Sequence, residues 1–271
     1  MDGSTIFFDP PSDAAGRAPL PGQRRRTVLV TGAAGNVGRD FARRAASRYA
    51  LRLMVIPGQD PRELADHGEV VEGDLTRPET LAPAVEGADA VLHLGADSRP
   101  HAKWESVLAN NLDGLQNLLH ASAEAGVRRV VFASSVHAVF GYAPRRGIRP
   151  EDAPAPTSLY GASKAFGEAL GKYYALKHDL SVVCVRIGWR CEPERLTAEP
   201  HPGLRQIWIS PRDLQQLLCL CLDDTRLRYA VVHGTSKNPQ PLLDIESTRR
   251  LLGYEPQDDA GDPAYAGDAK A

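Results

Sequence analysis

Thr27-Val-Leu-Val-Thr-Gly-Ala-Ala-Gly-Asn-Val-Gly-Arg39 is the stretch on which the fold turns. A short β-branched run ends in Thr31-Gly32, and Gly32, Gly35 and Gly38 then occupy the passage into a helix-length segment. Glycine suits such a strand-to-helix turn because a Cβ would keep the backbone away from a pyrophosphate, and the helix that follows offers free N–H groups and its positive dipole end to that anion. Three spaced glycines alone are weak evidence. Their place after the first strand of an alternating chain makes Gly32, Gly35, Asn36, Val37 and Gly38 candidates for holding a dinucleotide.

Working outward, apolar runs recur at Leu51–Ile56, Ala90–Leu94, Arg129–Ala133 and Ser181–Ile187. Helix-length segments lie between them at Asn36–Tyr49, Pro78–Glu86, Lys103–Ala125 and Ser158–His178. Apolar strands without polar alternation imply burial on both faces, so the pattern predicts an α/β doubly wound parallel sheet, a Rossmann fold. The dinucleotide-binding domain is expected over 27–187. Beyond Ile187 come Pro-containing loops, a helix at Pro211–Leu222, a strand at Tyr229–His233 and a helix at Asp244–Leu252. These read as a small substrate-binding portion over 188–256, packed on the strand ends. Residues 1–26, rich in Pro, Gly, Asp and Arg, and the acidic Ala/Gly-rich 257–271 are expected to be a disordered arm and tail.

The chain has 271 residues, 42% hydrophobic and 24% charged, with a formal net charge of −2. That balance suits one large core and offers no electrostatic attraction to nucleic acid or anionic membrane. No apolar run approaches the ~20 residues of a membrane helix, and the start of the chain does not read as a signal peptide. The four cysteines lack metal-ligand spacing. No metal is expected, and a reduced cytoplasmic protein is.

Further residues take roles by position. The second strand reads Leu51-Arg-Leu-Met-Val-Ile-Pro-Gly-Gln-Asp60, with no charge at its end, where an acidic residue would hold a ribose 2′-hydroxyl or a basic one a 2′-phosphate. Asp60 could reach back, and Arg39 or Arg62 could serve a phosphate. NAD and NADP both stay open, with NAD ahead by a narrow margin. Asp74 and Leu75 follow the third strand, where a carboxylate can accept from an adenine amino group or cap the turn near Thr76. Leu94, Gly95 and Ala96 leave room along a nucleotide. Asn111, a poor surface helix former, is a candidate for a hydrogen-bonding task at the cofactor.

The fifth strand ends Val130-Val-Phe-Ala-Ser-Ser-Val-His137, aiming Ser134 and Ser135 at the carboxyl edge. Tyr160 and Lys164 follow, four apart and so on one helix face. A phenol of reference pKa ~10 is a poor base at neutral pH. A neighbouring ammonium and an oxidised nicotinamide ring favour the phenolate, and Ser135 can hold the reacting oxygen. Tyr160, Lys164 and Ser135 are therefore the candidate catalytic set, with Ser134, Tyr160 and Lys164 also touching cofactor.

Together G-A-A-G-N-V-G, G-D-L, H-L-G-A, A-S-S, Y-G-A-S-K and the closing R-R-L-L-G-Y-E-P resemble the extended short-chain dehydrogenase/reductase family over roughly Thr27 to Pro256. Within it, V-L-H-L-G-A-D-S, V-F-A-S-S-V-H, L-Y-G-A-S-K-A-F-G-E and V-R-I-G are similar to uronate dehydrogenases, which oxidise the anomeric carbon of a hexuronate with NAD. The resemblance implies substrate contacts at Ser98, Ser135, Val136, His137, Tyr160 and Arg205, with Arg205 on the carboxylate. It places Ile187 by the nicotinamide, and it implies a homodimer through the helices Lys103–Ala125 and Ser158–His178. Val136 stands where those enzymes carry an asparagine, and the second strand lacks their acidic residue.

The expected activity is hydride transfer between a nicotinamide cofactor and a sugar acid or related polyhydroxylated small molecule. A sugar epimerase or dehydratase that returns its hydride is the alternative, but such enzymes need more C-terminal sequence than Ile187–Pro256 supplies. A non-catalytic dinucleotide sensor would lack the tyrosine–lysine pair.

Overall fold

The computed structural model describes residues 6–8, 24–99, 101–198 and 202–262. In chain order, β1 (Ile6–Phe8) and β2 (Thr27–Thr31) precede α1 (Asn36–Ala45), β3 (Ala50–Val55), β4 (Glu69–Glu72), α2 (Leu81–Val85) and β5 (Ala90–His93). Then come α3 (Trp104–Val107), α4 (Gly114–Glu124), β6 (Arg129–Ser135), α5 (Leu159–Lys177) and β7 (Ser181–Ile187). The chain finishes with β8 (Trp189–Arg190), α6 (Pro193–Ala198), α7 (Pro202–Arg205), β9 (Trp208–Ile209), α8 (Pro211–Asp223), β10 (Leu227–Gly234) and α9 (Glu246–Leu252).

The main sheet has the order β1-β10-β7-β6-β5-β2-β3-β4, parallel throughout except for β1, which runs antiparallel to β10. Every residue of β5 and β6 is buried, as expected of strands covered on both faces. One layer packs α1 and α8 on the sheet through Phe41, Ala42, Leu214, Leu217 and Leu218. The other packs α4 and α5 through Leu115, Leu118, Tyr174 and Phe132. Because β2 lies between β3 and β5, the strand order reverses there, and a crevice opens at the carboxyl ends of β2 and β5. The expected doubly wound fold is present.

Several boundaries differ from the sequence expectation. The segment read as a mobile arm contributes β1, and Arg24 and Arg26 reach Asp89 and Asp223 as ion pairs. The helix expected over Asn36–Tyr49 stops at Ala45, and the one over Pro78–Glu86 is a tight turn at Pro78–Thr80 followed by α2. Lys103–Ala125 is not a single α-helix: the widened turn Leu108–Asp113 separates α3 from α4. The expected 188–256 portion is not set apart, since β10 is hydrogen-bonded to β7 in the main sheet and only β8 and β9 pair separately. At the start of the expected tail, Asp258 accepts from Ser210 Oγ at 2.5 Å and pairs with Arg212, so 257–262 is anchored. Residues 263–271 lie outside the described set. No described helix is long and apolar enough to cross a membrane.

Candidate active site

The turn between β2 and α1 is built for an anion. Gly32 has φ +64°, and a Cβ there would lie 2.8 Å from the backbone nitrogen of Gly95. A Cβ on Gly38 would meet the carbonyl oxygens of Gly32 and Ala33 at 2.5 and 2.6 Å, so this glycine is required by the protein itself. Gly35 differs: an added Cβ meets only the Gly32 carbonyl, at 3.2 Å, and otherwise projects into open space. α1 has no side-chain cap and no acidic residue in its first turn, which leaves its leading N–H groups for a ligand. The residues therefore fit a dinucleotide pyrophosphate.

A cleft of about 600 Å³ opens there, lined by Gly32, Gly35, Asn36, Val37, Gly38, Asp74, Leu75, Leu94, Gly95, Ala96 and Ser98, all expected from sequence. Its wall also includes Val55, Ile56 and Gln59 at the tip of β3, together with Asp97, Arg99, Ser106, Asn110 and Arg190. Asp60 and Arg62 are outside this wall and face each other at 3.6 Å. Arg39 donates to the carbonyls of Ala34 and Pro61 and faces Glu63. An uncharged β3 tip thus stands where the 2′-position is read. Asp74 lines the cleft while one carboxylate oxygen accepts from the Thr76 backbone and hydroxyl at 2.9 and 2.8 Å, so cap and wall coincide.

Asn111 lies in the widened turn, is buried, and is absent from the cleft wall. Its Oδ1 accepts from Asp97 N at 2.7 Å; its Nδ2 donates to Asp97 O and to Ser163 Oγ, each at 3.0 Å. The expected cofactor contact is replaced by a brace between the loop after β5 and α5. Asp97 itself is held well below the usual carboxylate range by Arg99, with help from Ser106. Thr31 Oγ1 ties the same corner, 2.7 Å from His93 Nδ1 and accepting from Gly95 N. Burial pushes His93 down to about 3, and Lys164 adds to this, so the imidazole is neutral. His93 carries no sequence signal of its own, because it ends an otherwise apolar strand.

At the next strand end, Ser134 and Ser135 meet different residues of α5. Ser134 Oγ donates to Glu168 at 2.6 Å, and Glu168 is held by both Nε and Nη2 of Arg186 at 2.9 Å. Ser134 therefore serves the sheet–helix contact, not the cleft as expected. Ser135 faces Tyr160: burial pushes that phenol up, while the Ser135 hydroxyl favours its phenolate. Lys164 Nζ lies 5.3 Å from the Tyr160 ring centroid and 4.9 Å from that of Phe132. It is buried, and burial pushes it down to about 7. His137 stacks on Phe140 and meets the Tyr160 ring edge at 5.7 Å. Val136, expected at the substrate, is instead buried among Val139, Ile148, Ile207, Leu242 and Leu243.

The β6–β7 register sets Ile187 beside Ser135. Arg205, expected on a substrate carboxylate, donates Nη1 to the Ala260 carbonyl at 2.9 Å and is outside the cleft wall. Sequence alone cannot see this partner, because it comes from the far end of the chain. Among the described residues no group of three or more His, Cys, Asp or Glu side chains converges as a metal site.

Residues 28–195 match the model of the NAD dependent epimerase/dehydratase family. The chain belongs to that family. It is 36% identical to an NAD-dependent glucose-6-phosphate dehydrogenase from Haloferax volcanii, covering 89% of this chain and 97% of that one. It is 34% identical to a uronate dehydrogenase from Pseudomonas putida, covering 85% and 84%. A solved structure, a uronate dehydrogenase mutant from Agrobacterium tumefaciens complexed with NAD, superposes with a TM-score of 0.77 at 34% identity, covering 87% and 86%. The matched residues run from the glycine turn through the Tyr160 helix.

Proposed function

We propose that this chain is an NAD-dependent dehydrogenase acting on a hexuronate-like sugar acid or a closely related polyhydroxylated sugar. The observation that carries this reading is the meeting of Ser135, Tyr160 and Lys164 at the carboxyl edge of β6, beside Ile187. The relatives' own activities support the substrate class.

In this reading Tyr160 takes the proton of the substrate hydroxyl while Ser135 donates a hydrogen bond to the same oxygen. Lys164 supplies positive charge beside the phenol, and Ser98 and His137 contact further hydroxyls. The nicotinamide, when bound, accepts the hydride from the adjacent carbon. NAD is favoured, and the uncharged β3 tip raises no carboxylate against NADP. Val136 and Arg205 drop out of the substrate set on their packing and hydrogen bonding. The test is a screen of hexuronates, sugar phosphates and neutral aldoses with NAD and NADP separately. Net cofactor reduction with a sugar acid supports the reading; product isomerisation without net reduction supports an epimerase; binding without turnover supports a sensor.

The functional unit we propose is a cytoplasmic homodimer. Leu159, Phe166 and Tyr173, seven apart on α5, are 45, 39 and 52% exposed and form one apolar stripe. The four free cysteines suit a reducing compartment. Light scattering at micromolar concentration should give twice the chain mass, and Phe166→Glu should give a monomer.

A further inference from the structure

Arg190 is not used by the mechanism above, yet it lines the cofactor cleft. It stands on β8 next to Trp189, which packs with the apolar cluster around Val136, so adjacent strand residues face opposite ways. The Arg190 side chain is 16% exposed. One terminal nitrogen, Nη2, reaches Glu192 at 2.8 Å and Asp40 at 3.4 Å. Its Nε is buried without a hydrogen-bond partner. Leaving a buried guanidinium N–H unmet is costly, which is why such groups normally have an acceptor.

Asp40 lies on α1, one turn past Asn36, and Gly35, Asn36 and Val37 share the cleft wall with Arg190. The guanidinium is therefore brought up to the uncapped start of α1, where the turn leaves room for an anion. Arg43 and Arg44 both sit on Asp40 Oδ1, at 2.6 and 2.9 Å, while Arg190 faces Oδ2 at 3.4 Å as the longest of its three cation contacts. Glu192 is half exposed and a weak anchor.

We propose that Arg190 is a ligand of the cofactor pyrophosphate, closing over it from the side opposite the glycine turn. A planar guanidinium suits phosphate oxygens, and that of Arg190 stands in the cleft wall. Asp40 then acts as the holder that keeps Arg190 aimed at α1. The inference rests on the chain's binding of NAD and not on its choice of sugar.

The test is fluorescence titration of Arg190→Ala and Arg190→Lys with NADH and with adenosine, plus displacement of NADH by inorganic pyrophosphate. Arg190→Ala should weaken NADH binding about 10–100-fold, as loss of a charge-assisted pair implies. Adenosine affinity should stay within about twofold, pyrophosphate should compete less well, and Arg190→Lys should recover part of the loss. NADH affinity within about twofold of the parent protein overturns the proposal. So does equal weakening for NADH and adenosine, which marks a structural role. An unchanged NADH affinity with a raised KM for a sugar acid or sugar phosphate overturns it too, by moving the guanidinium to the substrate's anion. If Gly35→Val abolishes NADH binding while Arg190→Ala does not, this inference fails alone and the dehydrogenase reading stands.

Discussion

Asn111 grips the backbone of Asp97 at both ends of its amide, accepting from Asp97 N at 2.7 Å and donating to Asp97 O at 3.0 Å. The same Nδ2 reaches Ser163 Oγ, the residue before Lys164. The wall of the cleft at the glycine turn and the helix carrying Tyr160 are thereby joined through one side chain. The widened turn Leu108–Asp113 is what swings Asn111 inward, a distortion often found near functional sites.

Asn111→Asp keeps the acceptor and removes the donor, leaving the Asp97 carbonyl unmet and a carboxylate against it. Stability should fall by about 1–3 kcal/mol, and NADH affinity should fall with it because Asp97 and Ser98 line the cleft. Denaturant unfolding and an NADH titration check both. Unchanged values in the two experiments would remove the brace.

Tyr160→Phe keeps the ring that packs against His137 and deletes only the titrating hydroxyl. Turnover should drop by ~10²–10⁴-fold while NADH binding persists. Activity within about threefold of the parent protein would take Tyr160 out of the mechanism.

Gly35 and Gly38 separate ligand from fold. Gly35→Val places its branches in the space kept for the pyrophosphate, so NADH affinity should collapse with circular dichroism unchanged. Gly38→Ala drives a methyl into two carbonyl oxygens, so even this small change should lower the melting temperature. Equal melting temperatures for both variants would contradict the distinction.

Lys164 is a buried ammonium with no ion-pair partner among the described residues, and burial lowers it to about 7. Between about pH 7 and its unfolded value near 10.4, the unfolded chain binds a proton that the native one has released, so this group's contribution to stability rises with pH. Below pH 7 the full penalty of the buried charge is present. Lys164→Met should therefore raise stability at neutral pH by roughly 1–4 kcal/mol, the range seen when buried charge gives way to apolar packing. It should also flatten the rise toward alkaline pH, and abolish turnover. Thermal melts of both proteins across that pH range are the measurement; parallel curves would show that burial does not shift Lys164.

The order of strands and helices, the glycine turn, and the pairing of Tyr160 with Lys164 could all be read from the sequence, because each rests on local period or spacing. Periodicity of apolar residues marks strands buried on both faces, and a spacing of four puts two side chains on one helix face wherever that helix is placed. What each polar side chain finds opposite it could not be read this way. Ser134 and Ser135 look alike in sequence, yet they meet residues eight positions apart on α5, Glu168 and Tyr160, a difference set by how α5 lies against the end of β6. Arg205 on α7 and Arg190 on β8 are two arginines of the segment that follows β7. Tertiary contact gives the first to the Ala260 carbonyl and brings the second to α1, some 150 residues back along the chain. Val136 is apolar in either reading, but only the packing of Ile148, Ile207 and Leu243 around it decides that it faces a core and not a substrate. Local pattern follows from the backbone's own repeat, whereas hydrogen-bond partners depend on distant segments whose arrival is settled by how the layers pack.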